Sequence, residues 1–472
     1  MKKTLACFFL LLAAVAGGTA AVFSQVYAAR DQVKITQETL YGDPAAAQGL
    51  AAHIPAQYQH HLFWNTDCTF GEETQAVTSY EFSAIQKEEP PQEREPFLEM
   101  TNQIWYGYDS EAVEGLSLAY QELFDDTPAG SENSRVIHLS DYYETYPLQL
   151  GLEFPVYSSM MSQDVFLSES IDPDEAKLYR TFEEFFQIPV LAEETMEISV
   201  GKSTDGGWVS SGSGSTESDR FDLYTVSAVA DNACYFAFDA HTQLENLVDV
   251  SQIKDGFGIY CLPFDSTSEG EDSSFPLLTE KLTTVYPLDP HERILNLTLS
   301  LDQSRLLLHT QTDGMYVITV IDRDTMEAVQ RLEVGKISAE SMAFHQLYEG
   351  DGFFAVQVEW NTLAAVRWEP NGICEELLFV PISPDPENPI VSFQFRTLAM
   401  DFDGEKLAVC DYQMNEQADN MVNVVLAVYN KTGMVYCGSY ANSLSLGGVK
   451  GDYTYKQGGQ AQLPSGVCER AG

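Results

Sequence analysis

Residues 295–334 read LNLTLSLDQSRLLLHTQTDGMYVITVIDRDTMEAVQRLEV, and this alternation of apolar runs with tight polar turns constrains the fold more than any other feature of the chain. Leu306 to Leu308 follows a turn at Asp302-Gln303-Ser304. Met315 to Ile321 is a β-branched run, and Asp322-Arg323-Asp324-Thr325 turns the chain into Ala328 to Val334. Strand, turn, strand, turn, strand is a meander. The same grammar recurs twice. Phe353 to Val358, Ala364 to Trp368 and Leu377 to Val380 are punctuated by Gly350-Asp351-Gly352 and Glu369-Pro370-Asn371-Gly372. Leu407 to Cys410, Val422 to Tyr429 and Met434 to Tyr440 are punctuated by Asp401-Phe402-Asp403-Gly404 and Asn430-Lys431-Thr432-Gly433. The runs opening at Leu306, Phe353 and Leu407 start 47 and 54 residues apart.

A period of about 40–50 residues with four short strands each is the pattern of a β-propeller blade. A twisted four-stranded meander cannot cover both its faces alone, whereas modules stacked side by side bury one another. The expectation is therefore a mainly β protein, a propeller of about six to eight four-stranded blades. Upstream, Ala233 to Phe238, Gly258 to Phe264 and Leu277 to Val285 read as strands, as does Phe154 to Met160, and Leu62 to Trp64 with Val77 to Phe82 reads as an opening blade. Most of residues 33–455 is expected as strand. Two segments depart from this. Asp172-Pro173-Asp174-Glu175 starts a single expected helix, whose Leu178, Phe182 and Phe185 recur at helical spacing. Gly201 to Ser218 is Gly/Ser-rich and reads as a mobile loop, a long hairpin tip or a domain linker.

The segments SLDQSRLLL…MYVITVIDRDTMEAVQRLEV and FDGEKLAV…VVLAVYNKTGMVY resemble blades of WD40-like and quinoprotein-like propeller proteins. The opening ITQETLYGDPAAAQGL…HLFWNT is similar to poorly characterised, signal-anchored bacterial proteins. The resemblance covers about 150 residues well. It lacks the Gly-His and Trp-Asp dipeptides of true WD40 blades, so it implies architecture and carries no functional residue across.

Residues 1–29 read as a targeting segment. Lys2 and Lys3 precede a stretch from Thr4 to Ala29 without a charged residue. Two readings stand. An uncleaved anchor is long enough to span a bilayer core of about 30 Å, and cleavage after Val26-Tyr27-Ala28 releases a secreted protein. Both place the remainder outside the cytoplasm under the positive-inside rule. The resulting division is a signal anchor or signal peptide at 1–29, an extracytoplasmic propeller-like domain at 30–460 and a tail at 461–472. Contact with the membrane is expected only through residues 4–29.

The chain carries 71 Asp+Glu against 25 Lys+Arg, a net charge of −46, which argues against nucleic acid because phosphate binding requires clustered Lys and Arg. With 44% hydrophobic and 12% aromatic residues the acidity is not that of a disordered tail. Cysteines stand at 7, 68, 234, 261, 374, 410, 437 and 468 without a CxxC, so buried thiols are expected, with Cys234–Cys261 and Cys410–Cys437 as the local alternatives for disulfides.

No residue is singled out as catalytic, cofactor-binding or metal-ligating. Gly201-Lys202-Ser203 lacks the earlier glycine of a phosphate loop, with Met196 in its place. Ser203-Thr204-Asp205-Gly206-Gly207 begins like the Asp box of sialidase-type propellers, itself a turn motif, but Trp208 follows too soon. The eight histidines at 53, 60, 61, 138, 241, 291, 309 and 345 show no HxxxH or HExxH spacing. Asp401-Phe402-Asp403-Gly404 lacks the later ligands of a calcium loop and reads as a hairpin turn. Asp265 to Asp272 and Asp385-Pro386-Glu387 read as solvated acidic loops, and Trp64, Trp105, Trp360 and Trp368 as packing between blades. The function these features favour is non-catalytic binding or scaffolding at the cell surface, with an unknown protein or glycan as partner. The alternative is a carbohydrate-active enzyme working at the propeller funnel through two carboxylates about 5–9 Å apart.

Overall fold

The computed structural model describes residues 2–29, 34–58, 62–83, 96–102, 115–154, 157–162, 173–265, 277–338, 344–350, 352–359, 361–369, 373–390, 399–414 and 422–442. Within them the protein is mainly β, with antiparallel strands in seven sheets and three α-helices. The chain divides into two compact units, one of residues 1–93, 345–366 and 376–472, the other of 94–344 and 367–375.

Helix α1, Lys2–Ala29, carries no charged residue after Lys3. Among the described residues no helix is long and apolar enough to cross a membrane.

In the first unit, strands Ala51–Tyr58, Leu62–Thr69 and Gln75–Phe82 form sheet 1, the expected opening module with three strands rather than four. The last sheet is a meander of Ala399–Phe402, Leu407–Met414, Val422–Asn430 and Gly433–Asn442. It gains a fifth strand from the other end of the chain, because Ile35–Gly42 pairs antiparallel with Gly433–Asn442. No local pattern in the sequence announces this pairing. The turns of this sheet form through side chains that mimic backbone acceptors. Asp403 Oδ1 accepts from the amides of Glu405 and Lys406, both at 2.8 Å, and Asn430 Oδ1 accepts from Thr432 N at 2.8 Å. Asp401-Phe402-Asp403-Gly404 is thus a hairpin turn, as its spacing implies. Another meander, Phe344–Gly350, Phe353–Val358, Thr362–Trp368 and Cys374–Pro381, matches the first recurrence of the sequence pattern.

In the second unit, sheet 4 (Thr225–Val229, Ala233–Phe238, Gly258–Pro263, Thr283–Pro287) and sheet 5 (Arg293–Leu299, Arg305–Thr312, Met315–Asp322, Ala328–Lys336) are four-stranded meanders. Burial grades across each. Ala233–Phe238 is buried at every residue, while Ala328–Lys336 is largely exposed. A strand covered on both faces reads as a continuous apolar run, and an outer strand does not. The segment Leu277 to Val285 is not one strand. It contains a bridge at Leu277, a 3-10 turn at Thr279–Lys281 and then Thr283–Pro287. Phe154 to Met160 likewise belongs to two strands, Gln149–Phe154 and Tyr157–Ser162, which pair with each other and with Phe97–Thr101 as three-stranded sheet 2.

Helix α2, Leu116–Asp126, stands where strand is expected, so the single decorating helix has a companion. Its Leu116, Ala119, Tyr120 and Leu123 bury against Ile137, Ile198 and Val200 of three-stranded sheet 3, formed by Glu132–His138, Thr195–Lys202 and Trp208–Ser215. Those four residues carry a helical period, too short to stand out against a strand-rich background. Sheet 3 also decides the fate of Gly201 to Ser218, which is a paired hairpin with its turn at 203–207. The expected helix is α3, Pro173–Phe185, with Leu178, Tyr179, Phe182 and Phe185 buried and Asp174 and Glu175 in its first turn.

The six cysteines whose surroundings are described, 68, 234, 261, 374, 410 and 437, are not joined in disulfides. Register explains why neither local pair forms. Cys234 opposes Leu262 while Cys261 opposes Tyr235, a one-residue offset that sends the two side chains to opposite faces. Cys410 opposes Leu426, whereas Cys437 opposes Ala427, with the same result.

His309, in sheet 5, is buried, with Nδ1 2.7 Å from Tyr316 Oη. Burial pushes the imidazole down to about 3. The unfolded chain, with histidine near 6.5, therefore binds a proton that the folded chain refuses across roughly pH 3 to 6.5. Its contribution is present at neutral pH and is lost as pH falls through that window. Between pH 7 and pH 5 wild type should lose about 2 kcal/mol more stability than His309→Phe, whatever the variant's stability at neutral pH. Urea unfolding of both proteins at the two pH values measures the difference.

Candidate functional site

Most residues singled out by the sequence have packing roles. Lys202 of the Gly-Lys-Ser triplet donates from Nζ to Phe124 O at 3.0 Å and lies 4.3 Å from the Phe124 ring centre. Trp208 stacks on the same ring at 4.1 Å and 8°. Ser203 Oγ accepts from Gly207 N at 2.8 Å, closing the tip of the hairpin. Trp368 is buried. His53 meets Asp67 and His291 meets Asp289, both at the protein surface, with ring nitrogens at 2.7 and 2.8 Å. Among the described residues no group of three or more His, Cys, Asp or Glu side chains is arranged to hold a metal ion. His60, His61, Trp105, Trp360, the 266–274 loop and the 461–472 tail lie outside the described residues, as do the surroundings of Trp64 and His345.

One polar cluster stands apart, at the end of sheet 4 where Thr225–Val229 begins and Ala233–Phe238 ends. Local chemistry builds it. After Phe238 the chain turns through 239–246, with Thr242 N donating to Asn246 O at 2.8 Å and Glu245 in a left-handed conformation, φ 66°. The segment 219–222 lies against this loop. Asp219 accepts from Thr242 Oγ1 at 2.7 Å, Leu244 N at 3.0 Å and Asn246 Nδ2 at 2.8 Å. Burial alone would raise the Asp219 carboxyl. The hydrogen bonds from Asn246, Thr242 and the amides of Leu244 and Arg220 outweigh it and hold the group below the ordinary carboxylate range. Gln243 donates to Asp222 Oδ2 at 2.7 Å, and Arg220 Nε lies 2.8 Å from Asp222 Oδ1.

Arg293, at the start of the next sheet, ties in from the side. Its Nε donates to Asp239 Oδ2 at 2.9 Å, and a terminal nitrogen reaches Glu245. The other Asp239 oxygen lies 2.8 Å from His241 Nδ1. A carboxylate oxygen accepts from a ring N–H, and this contact fixes the orientation of the largely buried His241 ring. Asp239 and Glu245 do converge, but on a guanidinium that opposes the charge of both.

Behind the cluster, buried Glu194 accepts from Tyr146 Oη at 2.5 Å. Burial raises the Glu194 carboxyl, and the Tyr146 hydrogen bond only partly offsets it.

The surface carried by this frame is not wholly polar. Leu244 at the loop apex is 64% exposed and Tyr224, beside Asp222, is 62% exposed. Asp219→Ala should cost about 1–2 kcal/mol through its lost hydrogen bonds and leave the two segments free to separate. Denaturant unfolding measures the first effect, and amide exchange at Leu244 the second. The sequence holds little sign of this site. Residues 219–222, 239–246 and 293 are brought together only by the pairing of sheet 4 and the start of sheet 5, and none belongs to a recognisable motif.

No protein-family model matches the chain, and no curated protein matches it. Among solved structures, a protein provisionally described as a 6-phosphogluconolactonase, from Bacteroides fragilis, aligns over 84% of this chain and 95% of its own, at 6% identity and a TM-score of 0.29. The Cps50 β-propeller domain of Myceliophteria thermophila aligns over 52% of this chain and 82% of its own, at 11% identity and a TM-score of 0.21. TolB of Acinetobacter baumannii aligns over 83% and 79%, at 9% identity and a TM-score of 0.20. Likenesses this distant say nothing about what the chain binds.

Proposed function

We propose that this chain is an extracytoplasmic binding protein of propeller architecture, exported through residues 1–29, and that the 219–246 cluster is its recognition surface. The observation that carries the reading is the exposed pair Tyr224 and Leu244, held on loops that Asp219 and Arg293 tie to the sheets beneath. Exposed apolar groups on a pre-ordered frame lose little entropy when a partner covers them, which is how binding hot spots arise. Recurrent meanders support the propeller architecture, as does the strand Ile35–Gly42 completing the last sheet from the opposite end of the chain. The basic start and uncharged stretch of residues 2–29 support export. The expected ligand class is a protein or glycan of the cell surface.

Protease accessibility of the full-length chain in intact cells tests location, and a protein protected until lysis overturns it. Binding is tested by sedimenting purified wild type with a cell-envelope fraction. Leu244→Asp, an exposed change that should spare folding, is expected to weaken affinity at least about tenfold. Equal sedimentation of wild type and Leu244→Asp overturns the assignment of the surface.

A further inference from the structure

A second polar group in the second unit is built differently. Strand Arg293–Leu299 runs from the 219–246 cluster to the turn 300–305, so the turns at 300–305 and 322–326 lie at the opposite end of sheet 5. In the later turn Arg323 is anchored by its backbone, Arg323 N donating to Ser304 O at 3.1 Å. One terminal nitrogen of its guanidinium is buried and has no hydrogen-bond partner. The neighbouring carboxylate is already engaged, since Asp322 receives Arg305 and the amides of Asp324 and Thr325. In a chain with 71 acidic residues this is unexpected. Arg135, Arg220, Arg293, Arg305, Arg331 and Arg367 all reach carboxylates.

The adjoining turn holds the complementary orphan. Gln303, in a left-handed conformation at φ 55°, has a buried side-chain oxygen with no donor. Sheet 4 contributes two further polar groups on cross-strand partners, the Tyr235 hydroxyl and the Cys261 thiol, both of which the charge of Arg323 lowers against the effect of burial. A buried donor and a buried acceptor left unmatched on adjacent turns are each costly in a folded protein.

We propose that Arg323 and Gln303, beside Tyr235 and Cys261, form a site for a small carboxylate that carries an N–H or O–H donor next to its carboxyl group. A carboxylate oxygen takes the unmatched Arg323 nitrogen, and the adjacent donor takes the Gln303 oxygen. Both orphans are then satisfied by one ligand. Acetate offers only the first interaction, while lactate and N-acetylglycine offer both.

The test uses the full-length chain with acetate, lactate or N-acetylglycine as probes, each against sodium chloride at equal ionic strength. Binding to the folded state raises Tm, and roughly 10 mM of either two-point probe should raise it more than acetate does. Gln303→Leu should reduce the lactate response to that of acetate. Arg323→Met should abolish all three responses and, by removing an unmatched buried donor, leave the unliganded protein at least as stable as wild type. If Arg323→Met fails to fold, Arg323→Lys, which keeps charge but loses the planar fork, should weaken lactate binding by about tenfold. Equal responses in wild type and the Arg323 variant overturn the proposal. So does a lactate-soaked crystal showing an ordered water only at the Arg323 nitrogen.

Discussion

Phe182→Ala should lower the free energy of unfolding by about 3–5 kcal/mol, the range for deleting a large aromatic from a core that cannot collapse around the gap. Phe182 has 0% exposure and sits on the face of helix α3 turned toward sheet 4. Its ring lies 5.9 Å from Phe236 at 16° and 5.7 Å from Phe186. Phe186 in turn meets Tyr260 edge-on at 4.7 Å. These rings share neighbours, so the cavity is lined by side chains already fixed by one another, and relaxation is small. The control is Lys177→Ala on the same helix, an exposed residue whose ion pair with Glu280 spans 3.8 Å, for which the change should stay within about 0.5 kcal/mol. Guanidinium unfolding of the three proteins gives the comparison. A loss below about 1 kcal/mol for Phe182→Ala would remove α3 from the core.

Gly258→Ala is the second large effect, with a different cause. A Cβ at this position would stand 2.1 Å from Tyr286 O and 2.8 Å from Thr284 Cγ2. The first of these is backbone in the paired strand and cannot rotate away. Sheet 4 already carries a register shift between Ile259 and Tyr260, next to the glycine. Adding a methyl there forces the strands apart, and the expected loss is about 3 kcal/mol or more. Gly256→Ala separates sterics from backbone strain. Gly256 has φ +87° but nothing within 4 Å of the added Cβ. Its cost should be only the left-handed penalty, about 1–2 kcal/mol. Equal losses at the two glycines would show that backbone conformation, not the close approach of Tyr286, governs this corner.

The regular part of the fold is legible because its cause is local. Phe353–Val358 and Ala233–Phe238 occur where strongly apolar runs place them, and the turns at Asp302, Asp322, Asp403 and Asn430 close through side chains of their own residues. Helix α3 follows from spacing alone. Helix α2 is equally periodic, yet a short helical period amid strand-rich sequence is ambiguous until something is seen to cover it, which sheet 3 does.

The candidate sites are not legible. Asp239, His241 and Arg293 are separated by 2 and 52 residues in the chain, and nothing in their flanking residues links them. Arg323 looks like any exposed turn residue until the partners of Asp322 are known.

By itself the sequence determined the class of secondary structure, the recurrence of the meanders, the chemistry of their turns and the uncharged N-terminal segment. These depend on residues within one or two turns of each other. Only the tertiary structure decided that Ile35–Gly42 completes the last sheet, that the cysteines stay apart, and which charges meet. Those outcomes depend on register between distant strands, where a shift of one residue reverses every side chain, and no local pattern encodes that choice.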